Sequence, residues 1–168
     1  MFARIFTVTL IISAIFSMDT ENCFSQWTTN GPYSGNITSF AALNGNIYTG
    51  TSWDGVFLSS NNGQNWSSIN NGLLSTSVYA LLASGTKIFA GTIVGIFKTS
   101  NNGKNWYESG NGIPTDWIKA LAIKGTTIFA GTIMGGVFLS TNDGQDWTAA
   151  NSGLGSTQIH SLAVVEAN

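Results

Sequence analysis

Four tryptophans, Trp27, Trp66, Trp106 and Trp147, follow one another at spacings of 39, 40 and 41 residues, and the last three close nearly the same octet. The copies read SSNNGQNW (59–66), TSNNGKNW (99–106) and STNDGQDW (140–147). A period near 40 constrains the chain more than any other feature. Each copy is one supersecondary unit that cannot bury its apolar face alone, so neighbouring units must stack to build a core.

The rest of the unit repeats with the octet. NIYTGTSWDGVFLS (46–59), KIFAGTIVGIFKTS (87–100) and TIFAGTIMGGVFLS (127–140) align, the middle copy being one residue shorter ahead of its octet. Upstream lie ITSFAAL (37–43), VYALLA (78–83) and IKALAI (118–123), and a last copy, IHSLAV, occupies 159–164. Short runs rich in β-branched and aromatic residues, separated by Gly, Asn and Ser, predict strands. No stretch after the first two dozen residues has apolar positions at helical spacing. Each unit therefore reads as four strands, the fourth starting at the octet's tryptophan. Four strands in about 40 residues is the period of a β-propeller blade.

The expected fold is all-β: four-stranded antiparallel blades in units of approximately 37–70, 78–110 and 118–150. A fourth-strand segment around Trp27 precedes them and a first-strand segment, Ile159 to Val164, follows. Three blades and two terminal strands make an incomplete propeller, because closure takes about four blades or more. Three accounts stand open: a chain cut short at Asn168, an array completed by another chain, or closure through the strand of Trp27. The halt of SLAVVEAN where another IFAGT would follow favours the first. An open array would leave unpaired blade edges and a route to self-association.

The first 25 residues read as a signal peptide: Arg4, an apolar run from Ile5 to Met18, then Cys23 and Ser25 at −3 and −1 of a cut before Gln26. The run is short of the roughly 20 apolar residues a bilayer span needs; the alternative is an uncleaved anchor. Residues 26–168 are then a secreted domain, extracellular, periplasmic or at the cell surface, with no membrane span. Cys23 is the only cysteine and Arg4 the only arginine, so both leave with the signal. No disulfide or thiolate metal site is expected, and no cofactor. The five remaining lysines are scattered among six acids, which excludes a nucleic-acid footprint.

NNG or NDG between two apolar runs is a hairpin signal, since Asn, Asp and Gly tolerate positive φ. Asn61, Asn101 and Asn142 can accept from amides across the turn, and Ser59, Thr99 and Ser140 can add a local bond. Trp66, Trp106 and Trp147 would bury their rings between blades. With Gly63, Gly103 and Gly144 these residues resemble the Asp-box, or BNR repeat, S-x-D-x-G-x-x-W. The match holds at Ser/Thr, Gly and Trp; the third position is Asn where the family prefers Asp. Asn keeps the acceptor and drops the charge, which suits a turn clasp better than a metal site. The resemblance covers nearly all of 26–168 and implies a propeller, without implying one activity. Propellers with this box include sialidases, xyloglucanase-type glycosidases, sortilin-like receptors and photosystem II assembly factors. The absence of arginine after residue 25 argues against a sialidase, whose arginine cluster holds the substrate carboxylate.

In an up-and-down blade the octets share one rim with the turns between first and second strands. A ligand would use the opposite rim, where residues breaking the repeat are Trp53 and Asp54 in TSWDG, Asp116 and Trp117 in PTDW, and Tyr33 in NGPYSG. Flat aromatics beside carboxylates suit sugar rings and their hydroxyls; the alternative is that Trp53 and Trp117 pack on neighbouring loops. Asp54 and Asp116 are the candidates for a glycosidase pair, which needs a set separation across a cleft. His160, the lone histidine, takes the place of Thr38, Tyr79 and Lys119 in other copies and makes no metal site. Asn36 and Asn65 head glycosylation sequons. The leading expectation is a non-catalytic recognition or scaffold module binding a protein or a surface glycan. The rivals are a fragment of a polysaccharide-active glycosidase and an assembly factor of the photosystem II type.

Overall fold

The structure, a computed structural model, describes Gly31, residues 35–114 and residues 117–165. Twelve strands form three separate antiparallel sheets. The first holds β1 (Ile37–Leu43), β2 (Asn46–Thr51), β3 (Val56–Ser59) and β4 (Ser67–Ser68), in that order. β5 (Val78–Ser84), β6 (Lys87–Thr92), β7 (Gly95–Thr99) and β8 (Tyr107–Glu108) form the second. The third repeats the order with β9 (Ile118–Lys124), β10 (Thr127–Thr132), β11 (Val137–Ser140) and β12 (Thr148–Ala149). No helix occurs among the described residues, so none is long and apolar enough to cross a membrane.

The first strands gather along one edge of the stack, β1 against β5 and β5 against β9. That is the arrangement of propeller blades about an axis. Blades meet face to face and the core lies between them. One apolar cluster joins Tyr48 and Val56 of the first blade to Val78, Leu81, Ile88, Ala90, Phe97 and Trp106 of the second. Its counterpart joins Phe89 and Ile96 to Ile118, Ile128, Ala130, Phe138 and Trp147. Fully burying an aliphatic or aromatic side chain of this kind stabilises by about 1.5–3 kcal/mol before chain entropy is counted.

Two glycines in each of the first two blades make the approach possible. A Cβ at Gly50 would lie 2.8 Å from Val78 Cγ1, and one at Gly91 would lie 2.7 Å from Ile118 Cγ2. The GT pairs of the repeat are thus the points where the next blade touches backbone. Gly72 and Gly112, both at positive φ, run against the main chain of Trp106 and Trp147 in the following octet.

The segment 159–165 differs from its sequence expectation. Ile159 sits against Gly131 as Ile118 sits against Gly91, and its N–H donates to Thr132 O at 2.8 Å. It occupies a first strand's place, yet forms no ladder, since the described residues contain no second strand for it to pair with. The outer face of the third blade is correspondingly bare: Phe129 and Val137 are half-exposed where Phe89 and Ile96 are buried. The strand expected around Trp27 lies outside the described residues.

Candidate functional site

The two rims are built differently. At the octet rim three copies make the same bonds. Ser59 Oγ donates to Asn61 Oδ1 (2.9 Å) and accepts from the Gly63 N–H (2.8 Å), while Asn61 Oδ1 accepts from the Asn65 N–H (2.9 Å). Thr99, Asn101, Gly103 and Asn105 repeat the pattern within 0.2 Å, as do Ser140, Asn142, Gly144 and Asp146. The turn is paid for by left-handed residues, Asn62 (φ 56°) and Gly63 (φ 83°) in the first copy.

The octets also tie blades together. Trp106 Nε1 donates to Ile69 O and Trp147 Nε1 to Ser109 O, each at 2.6 Å, and the two rings are 2% and 3% exposed. Tyr48 donates its phenol to Asn102 Oδ1 at 3.3 Å, and Lys87 forms an ion pair with Asp143. Trp66 is half-buried. The Ser or Thr and Asn at the first and third places serve the turn, and Trp106, Trp147, Asn102 and Asp143 serve a neighbouring blade. Among the described residues no cluster of His, Cys, Asp and Glu could hold a metal ion.

At the other rim the turns between second and third strands hold the tips outward. In the first blade Thr51 N–H donates to Gly55 O (2.9 Å) and Asp54 N–H to Thr51 Oγ1 (2.9 Å). Asn70, from beyond β4, then clamps the turn from beneath. Its Oδ1 accepts from Val56 N–H (2.7 Å) and its Nδ2 donates to Asp54 O (2.8 Å). Asn151 does the same for the third blade through Val137 N–H and Gly135 O. On these clamped turns Trp53 is 70% and Met134 67% exposed.

The middle blade lacks the clamp. Its turn is one residue shorter, Gly110 stands where Asn70 and Asn151 stand, and a recess of about 540 Å³ opens there. Ile96, Lys98, Glu108, Gly110, Ile113 and Gln145 are among its lining residues. Neither Trp53 nor Trp117 faces it, and its one acid is Glu108. It lies along β7 and β8, with Phe97 in its lining and Gly110 in place of the clamp.

Trp117 stands at the inner edge of the loop rim, just ahead of β9, and is 45% exposed. Its ring stacks with Tyr79, centroids 6.0 Å apart and planes 12° apart. Lys119 Nζ lies 3.4 Å from the Tyr79 ring centroid and 5.5 Å from that of Trp117. Trp117 therefore packs on a neighbour while keeping much of its surface, and Trp53 makes no ring contact with it among the described residues. Asp54 is half-exposed; Tyr33 and Asp116 lie outside the described residues. Tyr79 and Lys119 were not singled out by sequence. Their signal was positional: they fill the same variable place as Thr38 and His160.

No protein-family profile matches the chain, and no curated protein matches it in sequence. Solved structures do. An ancestral GH74 enzyme superposes with a TM-score of 0.60 at 22% identity, over 68% of this chain and 18% of that one. The extracellular domain of the hybrid two component system BT4673 from B. thetaiotaomicron gives 0.63 at 20% identity, over 80% of this chain and 20% of its own. YCF48 from Cyanidioschyzon merolae gives 0.55 at 13% identity, over 70% and 38%. All are propeller-type folds, and the chain is a partial β-propeller that spans under two thirds of each of these relatives.

Proposed function

We propose that this partial propeller is a secreted, non-catalytic recognition or scaffold module of the Asp-box type, binding a protein or a surface glycan through its loop rim. The observation that carries the reading is the distribution of exposed apolar side chains. Of the eleven exposed large apolar side chains among the described residues, six lie in loops of that rim, Trp53, Leu74, Val94, Trp117, Met134 and Leu154; Ile37 and Phe40 lie on β1, Tyr107 on β8, and Val164 and Val165 in the last segment. No large apolar side chain of an octet is exposed among the described residues. Apolar side chains gathered in the loops of one rim are the kind of exposed surface that marks an interaction site. The signal-like residues 1–25 and the likeness to an extracellular domain support secretion.

Retention of the full chain on immobilised polysaccharides and on cross-linked surface proteins tests this reading, using Trp53→Ala and Trp117→Ala. Loss of retention in either variant supports the rim as the site. Unchanged retention in both removes these residues from it. The glycosidase alternative draws on the likeness to the GH74 enzyme and on Asp54 and Asp116. Turnover of a polysaccharide that Asp54→Asn and Asp116→Asn abolish would favour it. Resemblance to YCF48 is the support for an assembly role, and a co-purifying membrane complex would favour that one.

A further inference from the structure

We propose that the inner edge of the loop rim binds an acidic saccharide, with a sugar ring lying on Trp117 and its carboxylate on Lys119. The proposal rests on the reading of this rim as a recognition surface and names its ligand class.

The site is produced by a backbone device repeated in each blade. Ile37 pairs with Thr51 and Ser39 with Gly50, so Thr38 is left over by the register. Tyr79 is left over in the same way between Val78 and Ala80, and Lys119 between Ile118 and Ala120. A bulged residue is freed from the ladder's alternation, and its side chain is re-aimed. The residue before it is fixed by packing: Val78 and Ile118 press on Gly50 and Gly91. Ile159 presses on Gly131 likewise, and His160 follows it. The scaffold is therefore constant while the presented side chain changes from Thr to Tyr to Lys to His. Constant backbone with variable presentation is how repeat folds build recognition surfaces.

The chemistry of the row is specific. Tyr79 and Trp117 offer two nearly parallel rings, and the Lys119 ammonium rests over the first. The one ion pair among the described residues is Lys87 with Asp143, so no described carboxylate neutralises Lys119. Ring faces attract and position an ammonium without cancelling its charge. A ligand carboxylate can do so through a charge-assisted bond. The exposed part of the Trp117 indole adds a flat apolar surface beside that charge, which fits the C–H face of a pyranose. An acidic peptide would satisfy Lys119 and leave the indole without a ring to lie on. A uronate satisfies both.

Calorimetric titration of the full chain with tetragalacturonate, cellotetraose and a tetraglutamate peptide tests the proposal, with melting curves confirming that each variant folds. Tetragalacturonate is expected to bind, more weakly as salt is added, and cellotetraose and tetraglutamate to bind far less. Lys119→Met, which keeps the aliphatic stem, should weaken tetragalacturonate by about tenfold or more while Lys119→Arg retains it. Trp117→Ala should also weaken it. Equal affinity for cellotetraose overturns the acidic preference, and stronger binding of tetraglutamate overturns the saccharide. Undiminished binding in folded Lys119→Met and Trp117→Ala overturns the site. No binding of tetragalacturonate overturns the proposal as well. Retention of another glycan or of a protein in a Trp53-dependent manner would then leave the rim reading standing; loss of that dependence too would remove both.

Discussion

The same turn position holds Ser59, Thr99 and Ser140 at one rim with bonds alike to 0.2 Å, while at the other Trp53, Val94 and Met134 share a position with nothing in common but exposure. The first rim is uniform because each octet closes a hairpin with the same atoms, and those of Trp106 and Trp147 also tie their blades to the one before. At the second rim the turns reach the next blade through main chain, Gly55 N–H to Thr76 O and Gly136 N–H to Thr157 O, so the tip side chains vary while the backbone beneath them is kept. Even the clamp is missing once, at Gly110, which lines the recess of the middle blade. Regularity here marks structure, and variation over a constant backbone marks the surface available for function.

Substitution at the two rims should separate these roles. Trp147→Ala removes a buried ring and its bond to Ser109 O, and should destabilise by about 3–5 kcal/mol in a denaturant titration. Trp53→Ala, on a 70% exposed tip, should stay within about 0.5 kcal/mol. Equal losses would erase the distinction between the rims. Ser140→Ala leaves the buried Gly144 N–H without its acceptor and should cost about 1–3 kcal/mol by the same titration.

The clamp can be sharpened in the opposite direction. Gly110 has ordinary φ, and a Cβ there would lie 3.6 Å from Ile96 N, a normal contact. Gly110→Asn should therefore supply the missing acceptor and stabilise by about 0.5–1.5 kcal/mol, read as a raised melting temperature. A loss of stability would mean that the shorter turn of the middle blade has its own geometry. The smallest effect belongs to Tyr48, whose phenol is pushed above its ordinary value of 10.0 by burial, with Asn46 opposing. Its stabilising contribution is full below the unfolded value and is lost as pH rises past it toward the folded one, because only the unfolded chain ionises early. Tyr48→Phe should remove that part of the alkaline loss in melts at successive pH values.

Much of this was legible in the sequence. The 40-residue period and the NNG turns fix blade and hairpin locally, and the strands fall where β-branched runs end at Gly and Asn. The pairing of Tyr79 with Trp117 was not legible, because it joins β5 to the loop before β9 across a blade boundary. Nor was the bulge: VYALLA is a continuous apolar run whose letters mark no break, and only the register shows that Tyr79 is left over. The segment after Ile159 has the letters of a first strand and lacks a ladder, since pairing depends on a partner that its own residues do not supply.

The most direct test of the central claim, that ligand binds at the loop rim, is an NMR titration following the tryptophan indole N–H resonances. On adding the polysaccharide that the full chain retains, the account predicts shifts of the Trp53 and Trp117 indoles, with Trp106 and Trp147 stationary in their bonds to Ile69 O and Ser109 O. Shifts confined to Trp66, Trp106 and Trp147 would place the ligand on the octets and contradict it.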